Sequence, residues 1–265
     1  MKLLFSETLP DYKNYIFPYA IWAFPETGET PADFFARGFL PSSKNLDRFY
    51  LCRSLRVALA DFKPSSENRR ILRKGEGFAF ELVPRAQFDF TPARREFCLS
   101  YAASKFGQEM MTPARLDNLF SSAITSHLLL FSDKQTKREI GCVTMFLQPK
   151  RAAQYYYSFY DLDYAAQNLG MFMMTSAVSL FAEQSFEHLY LGSCYSRNAL
   201  YKTQFAGAEF FNGACWSREL EELKFLIDRS AQPQTKHLFE VEEYLHRFHD
   251  GALGNAVARS IFELF

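Results

Sequence analysis

Paired cysteines, net charge and long apolar runs are all scarce in this chain of 265 residues. The five cysteines, Cys52, Cys98, Cys142, Cys194 and Cys215, are odd in number and widely spaced. None forms a C-x-x-C pair or neighbours a histidine at ligand spacing, which excludes a disulfide-stapled scaffold and a zinc-finger pattern. They read as free thiols of a cytoplasmic protein. Lys+Arg and Asp+Glu both number 30, so the net charge is zero. Coating nucleic acid everywhere requires many excess cations, so any RNA contact must be local. No run of uncharged apolar residues reaches membrane-spanning length, and the best, residues 171–181, is the length of a buried helix. The apolar run before Ser6 is too short for the core of a signal peptide. A soluble protein with no membrane partner is expected. No internal repeat is visible.

What the chain does hold is apolar and aromatic: 48% hydrophobic residues and 17% aromatics, among them 29 Phe and 14 Tyr. Such a chain folds, with thick packed layers, and its length allows one or two domains. Punctuation divides it. Pro10, Pro18, Pro25, Gly28, Pro31, Gly38 and Pro41 break the first fifty-odd residues, which predicts an aromatic, loop-rich segment at 1–55. A core follows at 56–229, then a linker and helical tail at 230–265, interrupted at Gly251 and Gly254. Within the core, Leu55, Val57 and Leu59 alternate with Arg56, Ala58 and Ala60, the period of a strand with one apolar face. Residues 65–74 read as a short basic helix capped by Ser65 with Asn68 three on. Residues 78–83 read as a strand, and Thr91 with Pro92 opens a helix to about 105. Runs at 126–131, 139–147 and 152–160, separated by charged tips, form an antiparallel meander. A polar loop ending at Gly170, a buried helix at 171–184, a strand at 188–192, a helical stretch at 195–205, a strand near 209–212 and a helix at 217–229 complete it.

Strand, strand, strand, Gly-ended loop, helix, strand, helix, strand is the order of a GNAT-type N-acyltransferase core, an α+β fold with a mainly antiparallel mixed sheet flanked by helices. In that order the loop and the first turn of the following helix meet the phosphate-bearing end of an acyl carrier, because the backbone N–H groups there are unpaired. Specific strings sharpen this. Residues 57–74, with Phe62, Pro64, Ser65, Arg69, Arg70 and Arg73, resemble the F-x-P-S-x-x-x-R-R-x-x-R segment of the arginyl-tRNA-protein transferases and bacterial leucyl-tRNA-protein transferases. Tyr157-Ser-Phe-Tyr-Asp161, Asn168-Leu-Gly170, Tyr190-Leu-Gly192 and Tyr201-Lys202 with Phe205 are similar to that family's Y-x-F-[FY]-D, S-L-G, Y-L-G and Y-K-x-x-F series, in the same order. The resemblance runs from Arg56 to about Asn212. It implies transfer of an amino acid from a charged tRNA, the co-substrate, to the α-amine of an acceptor protein or peptide, with no other cofactor. The chain departs from the family where Asn168 replaces Ser, where Leu162 replaces Pro, in a stretch between Gly192 and Tyr201 about two residues shorter, and in keeping only Cys52 of the N-terminal cysteines. No bound metal is therefore expected.

Each candidate has a plainer reading beside it. Arg69, Arg70, Arg73 and Lys74 would meet tRNA phosphates, or form a solvated face; at least one of the adjacent arginines is expected to point inward. Asp161 would position or deprotonate the amine, or cap a turn, a task better suited to Asp163. Tyr160, Asn168, Leu169 and Gly170 would receive the terminal adenosine, or Gly170 simply permits a tight turn. Tyr190 and Gly192 would line the site from the next strand. Tyr201 and Lys202 would protonate the departing ribose oxygen or stabilise the oxyanion, against a default surface lysine. His246 and His249 lack a third metal ligand, and Cys194 lacks a histidine to make it a nucleophile. Two other readings remain: an acyl-CoA-dependent acetyltransferase, disfavoured because Gln167-Asn-Leu-Gly170 holds a single glycine, and a non-catalytic family member that binds tRNA or a partner. The amino acid carried, the acceptor and the oligomeric state are not written in the sequence.

Overall fold

The computed structural model describes residues 1–262. The N-terminal stretch corrects the loop-rich expectation. Strands β1 (Lys2–Glu7) and β2 (Tyr19–Phe24), helix α1 (Pro31–Ala36), and strands β3 (Phe39–Pro41) and β4 (Phe49–Leu51) build an antiparallel sheet ordered β1-β2-β4-β3. The prolines fall where such a sheet tolerates them. Pro31 takes the first position of α1 behind a Thr30–Asp33 capping box, Pro41 ends the edge strand β3, and Pro10, Pro18 and Pro25 lie in connections. Phe34, Phe35, Phe39 and Phe49 are fully buried between this sheet and the main one.

The alternation at 54–60 gives β5 (Ser54–Ala58), and Ser65 caps α2 (Ser66–Lys74) by accepting from the Asn68 N–H at 3.1 Å. Strand β6 (Phe78–Pro84) and helix α3 (Pro92–Phe106) follow, then helix α4 (Pro113–Ser121), which the sequence reading passed over. The meander is β7 (His127–Asp133), β8 (Glu139–Gln148) and β9 (Ala152–Tyr160). Helix α5 (Leu169–Glu183) crosses to β10 (His188–Ser193); beyond it lie a 3-10 segment (Arg197–Thr203) and β11 (Ala208–Phe211). Strand β12 (Trp216–Ser217) delays α6 to Leu220–Ser230. The tail forms α7 (Glu242–Phe248) and α8 (Leu253–Ala258), broken at Gly251; Gly254 lies inside α8 rather than interrupting it. The end of the expected helical tail, 263–265, lies outside the described residues.

The main sheet has eight strands, ordered β12-β11-β5-β10-β9-β8-β7-β6. Its described pairings are antiparallel except β9 with β10, the crossover pair that α5 connects. This is the α+β arrangement that the strand order predicts. One face packs on α5, nine of whose fifteen residues are buried, with Leu55, Val57 and Leu59 of the alternating strand among its contacts. The opposite face is covered at one end by α3 and α4 and at the other by the N-terminal sheet.

Arg56, on that second face, ties three strands together. Its Nη2 lies 2.7 Å from Glu209 Oε2, with both side chains only 11% exposed, and its guanidinium stacks 3.8 Å from the Trp216 ring centroid. Arg218 reaches the other Glu209 oxygen at 2.8 Å. Burial alone raises the Glu209 carboxyl, but the two arginines outweigh it and hold it below its ordinary value. A depressed carboxylate gives its stabilisation in full above the unfolded carboxylate range and loses it as pH falls through the folded value. Glu209→Ala, which leaves a buried guanidinium unpaired, is expected to lower unfolding free energy by about 3 kcal/mol at pH 7. Denaturant titration at pH 7 and pH 3 should show that deficit shrinking in acid.

Candidate active site

Strands β9 and β10 pair over three residues, His188 with Ala152, Leu189 with Ala153 and Tyr190 with Gln154. Beyond them β9 continues to Tyr160 and β10 to Ser193 without bonding to each other, and a cleft opens beside the far end of β9. A bulge shapes its wall. Thr144 faces Tyr157 and Met145 faces Tyr155, so Tyr156 is one residue too many on β9. The extra residue changes the parity of the strand. Tyr155 on one side of the bulge and Ser158 and Tyr160 on the other all turn to the cleft, while Tyr157 and Phe159 pack toward α3 and α4.

The cleft encloses about 430 Å³, lined by Tyr155, Ser158 and Tyr160 of β9, by Ala165, Asn168, Gly170, Met171 and Met174 at and before the start of α5, by Tyr201, and by Tyr101, Lys105 and Phe106 at the end of α3. Asn168 adopts the left-handed conformation, φ 60°, which turns the chain into α5, and no side chain caps the first turn. The N-terminal N–H groups of a long helix therefore open at the cleft wall. Gly170 lies within that turn rather than ending the loop. A Cβ there would stand 3.0 Å from the Tyr160 ring, so glycine lets the ring lie against the helix. Tyr160 in turn lies tilted against Tyr101 with ring centroids 4.8 Å apart, and the Lys105 ammonium sits 6.0 Å from the Tyr160 ring centroid.

Four sequence candidates thus meet in one place: Tyr160, Asn168, Gly170 and Tyr201. Others do not. Leu169 is fully buried in the core beneath the turn. Tyr190, 1% exposed, points to the opposite face of the sheet, with Arg56 Nη1 3.4 Å from its hydroxyl. Lys202 turns inward and donates to the Ser193 carbonyl at 3.2 Å, close to Gly192, whose φ of +82° ends β10. Burial pushes the Lys202 ammonium down, the Cys194 thiol up and the Tyr201 phenol up. A buried, protonated Cys194 offers no thiolate.

Asp161 occupies a neighbouring hollow of about 230 Å³, behind Tyr101 and Tyr160. Its carboxylate is ion-paired with Arg138 and accepts from the Asp163 N–H at 2.9 Å, capping the 3-10 turn Leu162–Gln167. The capping task expected of Asp163 belongs to Asp161. The basic helix also differs from expectation, since neither adjacent arginine points inward. Arg69 donates to the Pro64 carbonyl, Arg70 pairs with Glu67, and the buried positions are Asn68 and Ile71. None of Arg69, Arg70, Arg73 and Lys74 lines the cleft. His249 is buried with both ring nitrogens unpartnered, and among the described residues no three His, Cys, Asp or Glu side chains converge as a metal site. Sequence reasoning missed Tyr101, Lys105 and Phe106. The Tyr101–Lys105 spacing of four puts both on one face of α3, but only the fold says that this face meets α5.

The Gly170–Tyr160 contact is testable. A methyl at residue 170 adds helix propensity in any background but crowds the ring only when the ring is there. The cycle of Gly170→Ala with Tyr160→Ala, followed by chemical denaturation, should show a coupling of about 1 kcal/mol. Additive effects would mean that the contact does not set the cleft's width.

Comparison with known proteins gives a consistent result. The family model described as "Arginine-tRNA-protein transferase, C terminus" matches residues 95–212. The chain is 28% identical over 196 residues to an aspartate/glutamate leucyltransferase of Granulibacter bethesdensis, covering 71% of this chain and 69% of that protein. It is 24% identical over 171 residues to an aspartate/glutamate leucyltransferase of Cereibacter sphaeroides, covering 62% and 61%. The chain thus spans about two thirds of these relatives' lengths. Among solved structures, FemX is similar with a TM-score of 0.41 at 8% identity, over 53% of this chain and 52% of that one. The matched segment contains β9, the start of α5 and Tyr201, elements that frame the cleft, and over it the chain is similar to the arginyl- and leucyl-tRNA-protein transferases.

Proposed function

We propose that this protein transfers an amino acid from a charged tRNA to the α-amine of an acceptor protein or peptide, and that the cleft between the end of β9 and the start of α5 is where the bond forms. The observation that carries the reading is the convergence of Tyr160, Asn168, Gly170 and Tyr201, drawn from three separate family motifs, on one opening at an uncapped helix terminus. The aminoacyl ester already carries the activation. The protein need only align amine and carbonyl, stabilise the oxyanion, and return a proton to the ribose oxygen as the ester bond breaks. The first-turn N–H groups of α5 suit the adenosine's phosphate or the oxyanion. Tyr201, raised by burial and therefore protonated, is the proton donor for the leaving oxygen. Lys202 holds the end of β10 through Ser193, and Asp161 with Arg138 anchors the end of β9; both act as positioning residues.

The lining also bears on the donor. Met171, Met174, Tyr155 and Phe106 offer apolar surface, and no carboxylate lines the cleft. A guanidinium entering it would find no partner, so an apolar aminoacyl group is favoured over arginyl. The relatives' name, leucyltransferase, agrees with that choice.

Peptide aminoacylation assays with leucyl-tRNA and arginyl-tRNA should give product with the first only, and calorimetry should show no binding of acetyl-CoA. Tyr201→Phe is expected to lower kcat about a hundredfold with little change in KM for charged tRNA. Absence of product with every aminoacyl-tRNA would overturn the proposal and leave a tRNA- or partner-binding protein.

A further inference from the structure

An acceptor is a chain, and whatever end of it enters the cleft, the rest must leave. The hollow of about 230 Å³ that holds Asp161 adjoins the cleft at Tyr101 and Tyr160, which line both. An extended chain advances about 3.4 Å per residue and turns successive side chains to opposite sides, so a first residue seated in the cleft leaves the second free to enter a different cavity. Local sequence builds that cavity. Phe97, Ser100, Tyr101 and Ser104 follow the i, i+3, i+4, i+7 spacing of one helix face, and this face of α3 meets Asp161 and Leu162, where β9 ends and the 3-10 turn begins. Ser100 and Ser104 are exposed, which leaves the hollow open to solvent on their side.

We infer that this hollow is the subsite for the acceptor's second residue, with an apolar side chain laid against Phe97, Tyr160 and Leu162 and a main-chain N–H of the acceptor bonded to Asp161; this rests on the transferase reading. Asp161 suits the second task. One of its oxygens is paired with Arg138 and the other accepts from the Asp163 N–H, two contacts on a group with about four acceptor positions. Its side chain is 18% exposed and lines the hollow. Arg138 already balances its charge, so a basic side chain would find no free partner, and an acidic one would be brought against a carboxylate. The competing occupant is the nucleotide next to the esterified adenosine. Among the described residues no lysine or arginine lines the hollow, so that nucleotide would carry its phosphate past a carboxylate with no cation to receive it. A peptide brings N–H donors instead.

The test uses acceptor peptides in three sets, beginning with Asp, Ala or Lys, each set carrying Leu, Gly or Glu at the second position, with leucyl-tRNA as donor and the full chain as enzyme. Within whichever set reacts, the wild type should favour Leu over Gly in kcat/KM by roughly tenfold or more, and place Glu last. Ser104→Trp fills the hollow from its exposed side and should bring Leu level with Gly or below it, with KM for leucyl-tRNA unchanged. Phe97→Ala removes an apolar wall and should shrink the same ratio. Calorimetric binding of the peptides without tRNA should follow the same order and is independent of turnover, and circular dichroism checks that both variants fold. A wild type indifferent to the second residue, or a Leu-to-Gly ratio unchanged in both folded variants, overturns the inference while leaving the transferase reading intact. Equal losses on all peptides with a raised KM for leucyl-tRNA also overturn it, and assign the hollow to the tRNA end. No product from the wild type on any peptide removes the transferase reading itself.

Discussion

Strands β9 and β10 share hydrogen bonds over three residues and then part, and the cleft lies at the end of β9 beyond that shared stretch. Two strands at the centre of a sheet are bonded along their length unless something prevents it. Here the 3-10 turn Leu162–Gln167 leads from β9 into α5, which crosses the sheet to reach β10. The exposed backbone that results is matched on one side by the uncapped turn of α5 and on the other by aromatic rings that exclude water. Burial of α5 against the sheet forms a large part of the apolar core, and the first turn of the same helix walls the cavity. The Arg56–Glu209–Arg218 cluster works on the opposite face, where it joins β5 to β11 beside β10.

Much of this was legible in the chain. The three meander strands, the capped basic helix and the buried helix of α5 each follow from a local pattern: period-two alternation, Ser65 with Asn68, or a run of Met, Ala and Val. The N-terminal sheet was not. Strands of three residues such as β3 and β4 are too short to show a period, and their prolines lie at edges and connections that read equally well as loops. The inward face of α2 went to Asn68 and Ile71 because apolar contact with α5 and the Ser65 cap together choose the face, leaving the arginines outside. Motif position put Tyr190 beside the site, but a strand has two sides, and only the pairing with β5 shows that this ring faces Arg56. The α3 contribution is invisible in the sequence because nothing local links residues 101–106 to 168–174.

Surface charge follows one habit. Arg70, Arg94, Arg95, Arg138, Arg151, Arg197, Arg218 and Arg247 each pair with a carboxylate. Part of the zero net charge is thus built pair by pair. Cations already engaged in this way are less available to phosphates.

The bulge at Tyr156 has an implication for how such a site can change over time. Because the one surplus residue is absorbed at the bulge, deleting Tyr156 would leave Thr144 facing Tyr157 and Met145 facing Tyr155, and Ser158 and Tyr160 would still look into the cavity. Point changes along this strand are free to adjust the chemistry by degrees. A single deletion at Tyr156 restores plain alternation without turning any of these side chains over, so length is forgiving at that one point.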